Sequence, residues 1–143
     1  MPHPRMHVMV FSVILLTVLV VDTSADVRLS GLFSDNMVLQ QGMKIPVWGR
    51  ANPGEKITVC LGGQMQTTTA DDNGKWRITL DPLEYGGPFE MTVTGNNQIV
   101  VSNVLVGEVW VCSGQSNMQW PVQSSANAQQ EIAQANYPNI RFL

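Results

Sequence analysis

Histidine is almost absent from this sequence. Only two of its 143 residues are histidines, His3 and His7, and both precede an apolar run near the N-terminus. The two cysteines, Cys60 and Cys112, stand far apart. Because zinc sites need several histidine or cysteine ligands, this composition excludes a zinc site. It also leaves any serine nucleophile without an imidazole base from the same chain.

Charge is sparse as well. Charged residues make up 13% of the chain, the formal net charge is −3, and no basic run is present. The sequence therefore gives no reason to expect a nucleic acid or an anionic membrane as partner. The acidic run DDNG at residues 71–74 lacks the later bidentate glutamate of a Ca²⁺ loop, so we predict a plain β-turn. We expect no metal ion and no cofactor.

Residues 1–25 have the pattern of a secretory signal peptide. Arg5 supplies positive charge, residues 8–21 form an apolar run, and small residues allow cleavage after Ala25. The alternative is a membrane anchor, but a spanning helix needs about 20 apolar residues, more than this run contains. We predict export to the periplasm, the extracellular space or the secretory lumen, with no stable membrane span after cleavage.

In an exported protein the two cysteines could pair. Each of them, however, lies within an apolar, strand-like run, where a thiol packs as a small apolar group. We therefore favour two free, buried thiols.

Residues 26–103 have the sequence pattern of an all-β domain. Short runs rich in Val, Ile, Thr and aromatic residues are separated by turn residues, with no helical pattern between them. Gly62-Gly63 separates two such runs and predicts a hairpin. Another run alternates polar residues with Trp76, Ile78 and Leu80, which predicts a strand with one buried face. The whole region is predicted to be an antiparallel β-sandwich.

The pattern of apolar and polar residues changes in residues 104–143. The apolar run Val109–Cys112 predicts a strand that is buried on both faces. Helical spacing then predicts a helix over residues 123–136, with Asn127 and Gln130 as a capping box. Residues 139–143 predict another strand. Strand, loop, helix and strand open an α/β domain, and we expect that domain to be truncated because its last strand lacks a neighbour.

The candidate nucleophile is Ser116. In the run CSGQSNM at residues 112–118, an apolar segment leads to Gly114, and Ser116 follows two positions later. Such a turn can present a hydroxyl at the edge of a sheet as a nucleophile. The alternative is a serine that merely caps the following turn.

Residues 107–122 closely resemble the sialate O-acetylesterase family of SGNH-type carbohydrate esterases, most specifically in the core GQSNM at residues 114–118. The runs LFSDNMVLQQ (32–41) and IPVWG (45–49) resemble that family's N-terminal β domain, and YPNIRF (137–142) resembles the segment after its first helix. The resemblance implies a mainly β chain. A β-sandwich (26–103) would follow the signal peptide and precede the first strand-loop-helix-strand of a truncated α/β SGNH-hydrolase domain (104–143).

The resemblance also implies a reaction. Ser116 would attack the acetyl ester of a sugar hydroxyl, its backbone N–H would contribute to the oxyanion hole, and water would release acetate. The family's base lies in an Asp-x-x-His that this chain lacks, so we expect the chain alone to be inactive. Gln115 and Asn117 either line the acetyl site or fix the loop. Trp120 is either a wall facing the sugar or a packed loop anchor.

Two other functions fit the same residues: a non-catalytic β-sandwich module that binds glycans or a partner, and a pseudo-esterase. The expected ligand is an O-acetylated carbohydrate, with sialic acid, xylan and other acetylated glycans all open. The sequence indicates no oligomeric state.

The signal peptide leads to a first prediction. When the whole sequence is expressed in a secreting cell, the exported protein should begin at Asp26, because small residues precede the cleavage point. Intact mass spectrometry measures this N-terminus. The variant Ala25→Arg is the control and should keep its leader. An exported protein that still begins at Met1 would contradict the prediction.

Overall fold

The computed structural model describes residues 26–142, so the predicted signal peptide lies outside the described residues. Two β-sheets are followed by a 3-10 turn (Val122–Ser124) and one short helix, α1 (Ala128–Gln134). The strands are β1 (Arg28–Leu29), β2 (Val38–Gln40), β3 (Ile45–Arg50), β4 (Lys56–Leu61), β5 (Gln64–Thr69), β6 (Lys75–Leu80), β7 (Gly86–Thr94) and β8 (Gln98–Gly107).

The predicted mainly β fold with two sheets is confirmed. The smaller sheet has the order β1-β3-β6, and the larger has the order β2-β8-β7-β4-β5. Neighbouring strands are antiparallel except β2, which runs parallel to β8. A parallel partner requires a long connection, and here the connection contains β3 to β7. The prediction of a purely antiparallel sandwich missed this one pair.

Alternation along the strands produces a single core within the described residues. Trp76, Ile78 and Leu80 are buried while their neighbours on β6 are exposed, as predicted. The hairpin at Gly62-Gly63 is confirmed, with Leu61 opposite Gln64. The core consists of apolar side chains from the facing sides of both sheets and the loops between them, among them Val47, Ile57, Val59, Leu61, Leu80, Met91, Val93 and Val104.

The buried carboxylate of Glu55 ties two loops together. Its side chain is 9% exposed. One carboxylate oxygen accepts the backbone N–H of Asn52 at 3.0 Å, and the other accepts the backbone N–H of Asn96 at 2.7 Å. Hydrogen bonds to a charged acceptor are stronger than neutral ones. Glu55 therefore fastens the turn after β3 to the hairpin between β7 and β8.

The predicted strand over Val109–Cys112 is not formed. β8 continues through Gly107, past the predicted boundary at residue 103, and the chain then leaves the sheet. Trp110 and Val111 are 82% and 92% exposed. A strand needs a neighbour for its backbone hydrogen bonds, and no strand within residues 26–142 lies beside this segment. The division into domains itself stays a prediction.

The cysteines are free in the described part of the chain, but they are not both buried. Cys60 is half-buried and Cys112 is exposed. The prediction of two buried thiols is therefore wrong for Cys112, because the strand that was to bury it does not form.

The C-terminal helix is shorter than predicted. Asn127 precedes α1 in the left-handed conformation, with φ of 57°, and makes no side-chain capping bond. The predicted capping box with Gln130 is therefore wrong; the Asn127 carbonyl accepts the backbone N–H of Gln130 instead, at 3.0 Å. Left-handed backbone cannot continue a right-handed helix, so α1 begins only at Ala128. Residues 139–142 form no strand.

The described residues contain no helix with the length and hydrophobicity that crossing a membrane requires.

Glu55 provides a test of the fold. Glu55→Ala should lower the free energy of unfolding by about 2 kcal/mol, because the variant loses two charge-assisted hydrogen bonds in a buried position. Urea unfolding measures this change. The control is Glu84→Ala, at an exposed loop position, which should shift stability by less than about 0.5 kcal/mol. Equal stability of the two variants would show that the Glu55 carboxylate does not hold the loops.

Candidate functional site

Ser116 lies in a series of tight turns that follow the end of β8. The carbonyl of Gln115 accepts the backbone N–H of Met118 at 2.9 Å, and the carbonyl of Ser116 accepts that of Gln119 at 3.2 Å. The backbone therefore holds the turn without using the serine hydroxyl. Ser116 itself is exposed.

Gly114, two residues before Ser116, leaves room for the side chain of Met118. A Cβ at Gly114 would lie 2.7 Å from Cγ of Met118, which is closer than two carbon atoms can approach. The missing side chain lets Met118 fold back against the turn. Gly114 and Met118 are therefore packed against each other across this turn.

The other predicted site residues share the same turns. Gln115, Asn117 and Trp120 are exposed, and Trp120 is 64% exposed. The backbone N–H of Trp120 donates to the carbonyl of Asn117 at 3.4 Å. All four predicted residues are thus exposed within one short segment of turns, and their individual roles stay predictions.

The segment exposes the Ser116 hydroxyl, but the described residues offer no imidazole to accept its proton. No histidine occurs within residues 26–142, and an unassisted carboxylate is a poor base for a serine hydroxyl. The same range contains no group of three or more His, Cys, Asp or Glu side chains placed to hold a metal ion.

One side-chain cluster attaches the start of this segment to the sheet. The Glu108 carboxylate accepts the side-chain amide of Gln40 at 3.0 Å and that of Gln41 at 2.6 Å. The Gln40 side-chain oxygen in turn accepts the backbone N–H of Val109 at 2.9 Å. The hydrogen bond from Gln40, which has the larger effect, and the one from Gln41 both favour the ionised carboxylate. They hold the pKa of Glu108 below its usual range.

A second cluster attaches the end of the segment. The Arg141 guanidinium donates to the carbonyl of Met37, to the carbonyl of Asn103, and at 3.0 Å to Oδ1 of Asn103. The side-chain amide of Asn103 donates to Oδ1 of Asn36 at 2.6 Å. Both asparagines have positive φ, 66° for Asn36 and 57° for Asn103, a conformation that asparagine tolerates better than most residues.

The segment with Ser116, residues 108–141, therefore lies outside the sheet and is attached at both ends to β2 and β8, at one edge of the larger sheet. The sequence analysis did not single out Glu108, Gln40, Gln41 or Arg141 as functional. The sequence did contain a pattern that could have indicated these residues, because polar residues directly follow the apolar residues of β2 and β8. What the sequence did not show is that these two strands are neighbours.

Comparison with known proteins finds relatives over nearly the whole chain. Sialate O-acetylesterase of Mus musculus is 36% identical over 149 residues, covering 94% of this chain and 28% of the mouse protein. The Homo sapiens protein of the same name is 34% identical over 150 residues, covering 94% and 29%. The chain belongs to the sialate O-acetylesterase family. It spans less than a third of the length of these family members.

A solved structure supports the family assignment. The crystal structure of a carbohydrate acetylesterase from Xanthomonas citri shares 37% identity with the chain at a TM-score of 0.72. The match covers 78% of this chain and 26% of that one. No protein-family model matches the sequence.

The Glu108 cluster provides a pH test. Because the folded-state pKa of Glu108 is lowered, the cluster should persist as pH falls below the usual glutamate range and loosen only at the lower folded pKa. An NMR titration of the Glu108 carboxylate and of the Val109 amide measures both events. In the double variant Gln40→Ala/Gln41→Ala, the pKa of Glu108 should rise. An unchanged titration in that variant would contradict the assigned cause.

Proposed function

We propose that this chain is the nucleophile-bearing part of an exported esterase that removes O-acetyl groups from carbohydrates. The observation that carries the proposal is the placement of Ser116. Its hydroxyl is exposed on a turn that backbone hydrogen bonds hold by themselves, in a chain homologous to sialate O-acetylesterases over nearly its whole length.

Ser116 contributes two groups to the proposed reaction. Its Oγ attacks the acetyl carbonyl and forms a tetrahedral intermediate. The backbone N–H of Ser116 donates to no carbonyl within residues 26–142 and is free to stabilise the oxyanion. Collapse of the intermediate expels the sugar hydroxyl with a proton from the base. Water then attacks the acyl-enzyme and releases acetate.

The base belongs outside the described residues. An imidazole is the group that suits proton transfer from a serine hydroxyl near neutral pH, and residues 26–142 contain none. The relatives are more than three times as long as the matched region. We place the base and the remaining oxyanion donors in polypeptide that this chain does not contain, and we expect the chain alone to be inactive.

The proposed substrate is an O-acetylated sugar. Trp120, four residues after Ser116, offers an exposed apolar ring, and Gln115 and Asn117 offer amide groups that can bind hydroxyl or carbonyl oxygens. The apolar leader of residues 8–21 supports export.

A fusion protein tests the nucleophile. Joining residues 26–142 to the part of the Xanthomonas citri acetylesterase that the match does not cover should restore acetate release from an acetylated sugar. Ser116→Ala in this fusion should lower kcat by about a million-fold, because comparable serine hydrolases lose that much with their nucleophile. Ser113→Ala, at another exposed serine of the same segment, is the matched control and should keep the activity.

The outcomes separate the candidate functions. A fusion that folds but releases no acetate, while the Xanthomonas citri enzyme assayed beside it does, would favour the pseudo-esterase. Acetate release by residues 26–142 alone, abolished by Ser116→Ala, would show that the chain needs no external base.

A further inference from the structure

A second concave surface lies on the smaller sheet, away from Ser116. It is an open groove of about 930 Å³, lined by side chains of β1, β3 and β6 and by the end of β5. None of the residues 108–142 lines it. Its size falls within the range of natural small-ligand sites. We name it the basic groove, after four lining residues: Arg28, Arg50, Lys75 and Arg77.

Strand register gathers three of these cations into a row. Arg28 on β1 lies directly opposite Arg50 on β3, and Arg50 lies directly opposite Lys75 on β6. Side chains at directly opposed antiparallel positions lie on the same face of the sheet. Arg77 is opposite Trp48, two residues along from the row. Half of the chain's eight lysines and arginines thus lie in one groove of a protein with net charge −3.

The positive charge of the groove is only partly compensated by the residues that line it. Opposed like charges destabilise a sheet, and none of the four cations has an ion pair among residues 26–142. The lining contains one carboxylate, that of Asp71. Its Oδ1 accepts the backbone N–H of Asn73 at 2.9 Å and that of Lys75 at 2.8 Å, so this oxygen stabilises the turn before β6. An anionic ligand would relieve the repulsion that the fold leaves in place.

A tryptophan completes the groove. Trp48 is half-buried and is held edge-on by Phe33, with ring centroids 4.9 Å apart. Trp76 also borders the groove, but its side chain is 3% exposed and lies on the core face of β6, opposite to the face of Lys75 and Arg77. The two strands can approach here because Gly49 has no side chain; a Cβ there would lie 2.9 Å from the Trp76 ring. Trp48 lies opposite Arg77, on the same face of the sheet as the cations, so its ring is the aromatic surface that a ligand in the groove can contact.

We propose that the basic groove binds an acidic saccharide, with the cations holding its carboxylate and Trp48 packing against its ring. A carboxylate matches the guanidinium geometry of Arg50 and Arg77, and an aromatic ring offers an apolar face to the C–H side of a sugar. The short row of cations is too limited for the extended phosphate contacts that bind nucleic acid. This site is separate from Ser116, and it stands whether or not the proposed esterase function does.

Tryptophan fluorescence of the purified protein tests the proposal with a matched pair of probes. Sialyllactose, which carries a carboxylate, should give a saturable change that weakens as salt concentration rises. Lactose, the same sugar without the acidic residue, should give none. Arg50→Gln and Arg77→Gln should each weaken sialyllactose binding by about tenfold, the loss expected of one charge-assisted contact. Lys56→Gln, an exposed cation on β4 of the other sheet, is the control and should bind normally.

Two further controls keep the result interpretable. Circular dichroism and urea midpoints show whether each variant folds, and Arg77→Lys should retain part of the affinity because it keeps the charge. Ser116→Ala should bind as the unaltered protein does. The proposal is overturned by lactose binding as well as sialyllactose, by a single-stranded oligonucleotide binding more tightly than sialyllactose, or by full affinity in Arg50→Gln and Arg77→Gln.

Discussion

The pairing of β2 with β8 is the contact on which the arrangement of the proposed catalytic segment depends. β2 has only three residues, yet it provides the one parallel neighbour in the larger sheet and brings residues 35–41 beside the end of β8. Oδ1 of Asp35 accepts the backbone N–H of Ser102 at 2.7 Å, which secures the same edge. Gln40 and Met37 then supply the side-chain and backbone groups that hold Glu108 and Arg141.

The Ser116 segment depends on these polar contacts because it has almost no core of its own. Nearly all of residues 108–140 are exposed, whereas the sandwich buries a continuous set of aliphatic side chains. Hydrogen bonds at an exposed surface stabilise far less than burial does. The segment is therefore positioned at its two ends, and its middle is shaped by local turns such as the one that Gly114 permits.

The basic groove arises from a different consequence of sheet formation. Arg28, Arg50 and Lys75 are separated by more than twenty residues each along the chain, and each stands next to residues of other types. Antiparallel register places them side by side. The sequence contains no basic run, because this cluster of charges forms only when three separate strands are paired.

The local structure of the sandwich could be predicted from short stretches of sequence. The alternation around Trp76, the hairpin at Gly62-Gly63 and the turn at residues 71–74 all formed as predicted, because they depend on neighbours within a few residues. The motif around Ser116 also marked the family from the sequence alone. Which strands are neighbours depends instead on the folding of the whole domain. That pairing made β2 parallel to β8, attached Arg141 to Asn103, left Val109–Cys112 without a partner and gathered the cations, since each result depends on contacts between residues far apart in the chain.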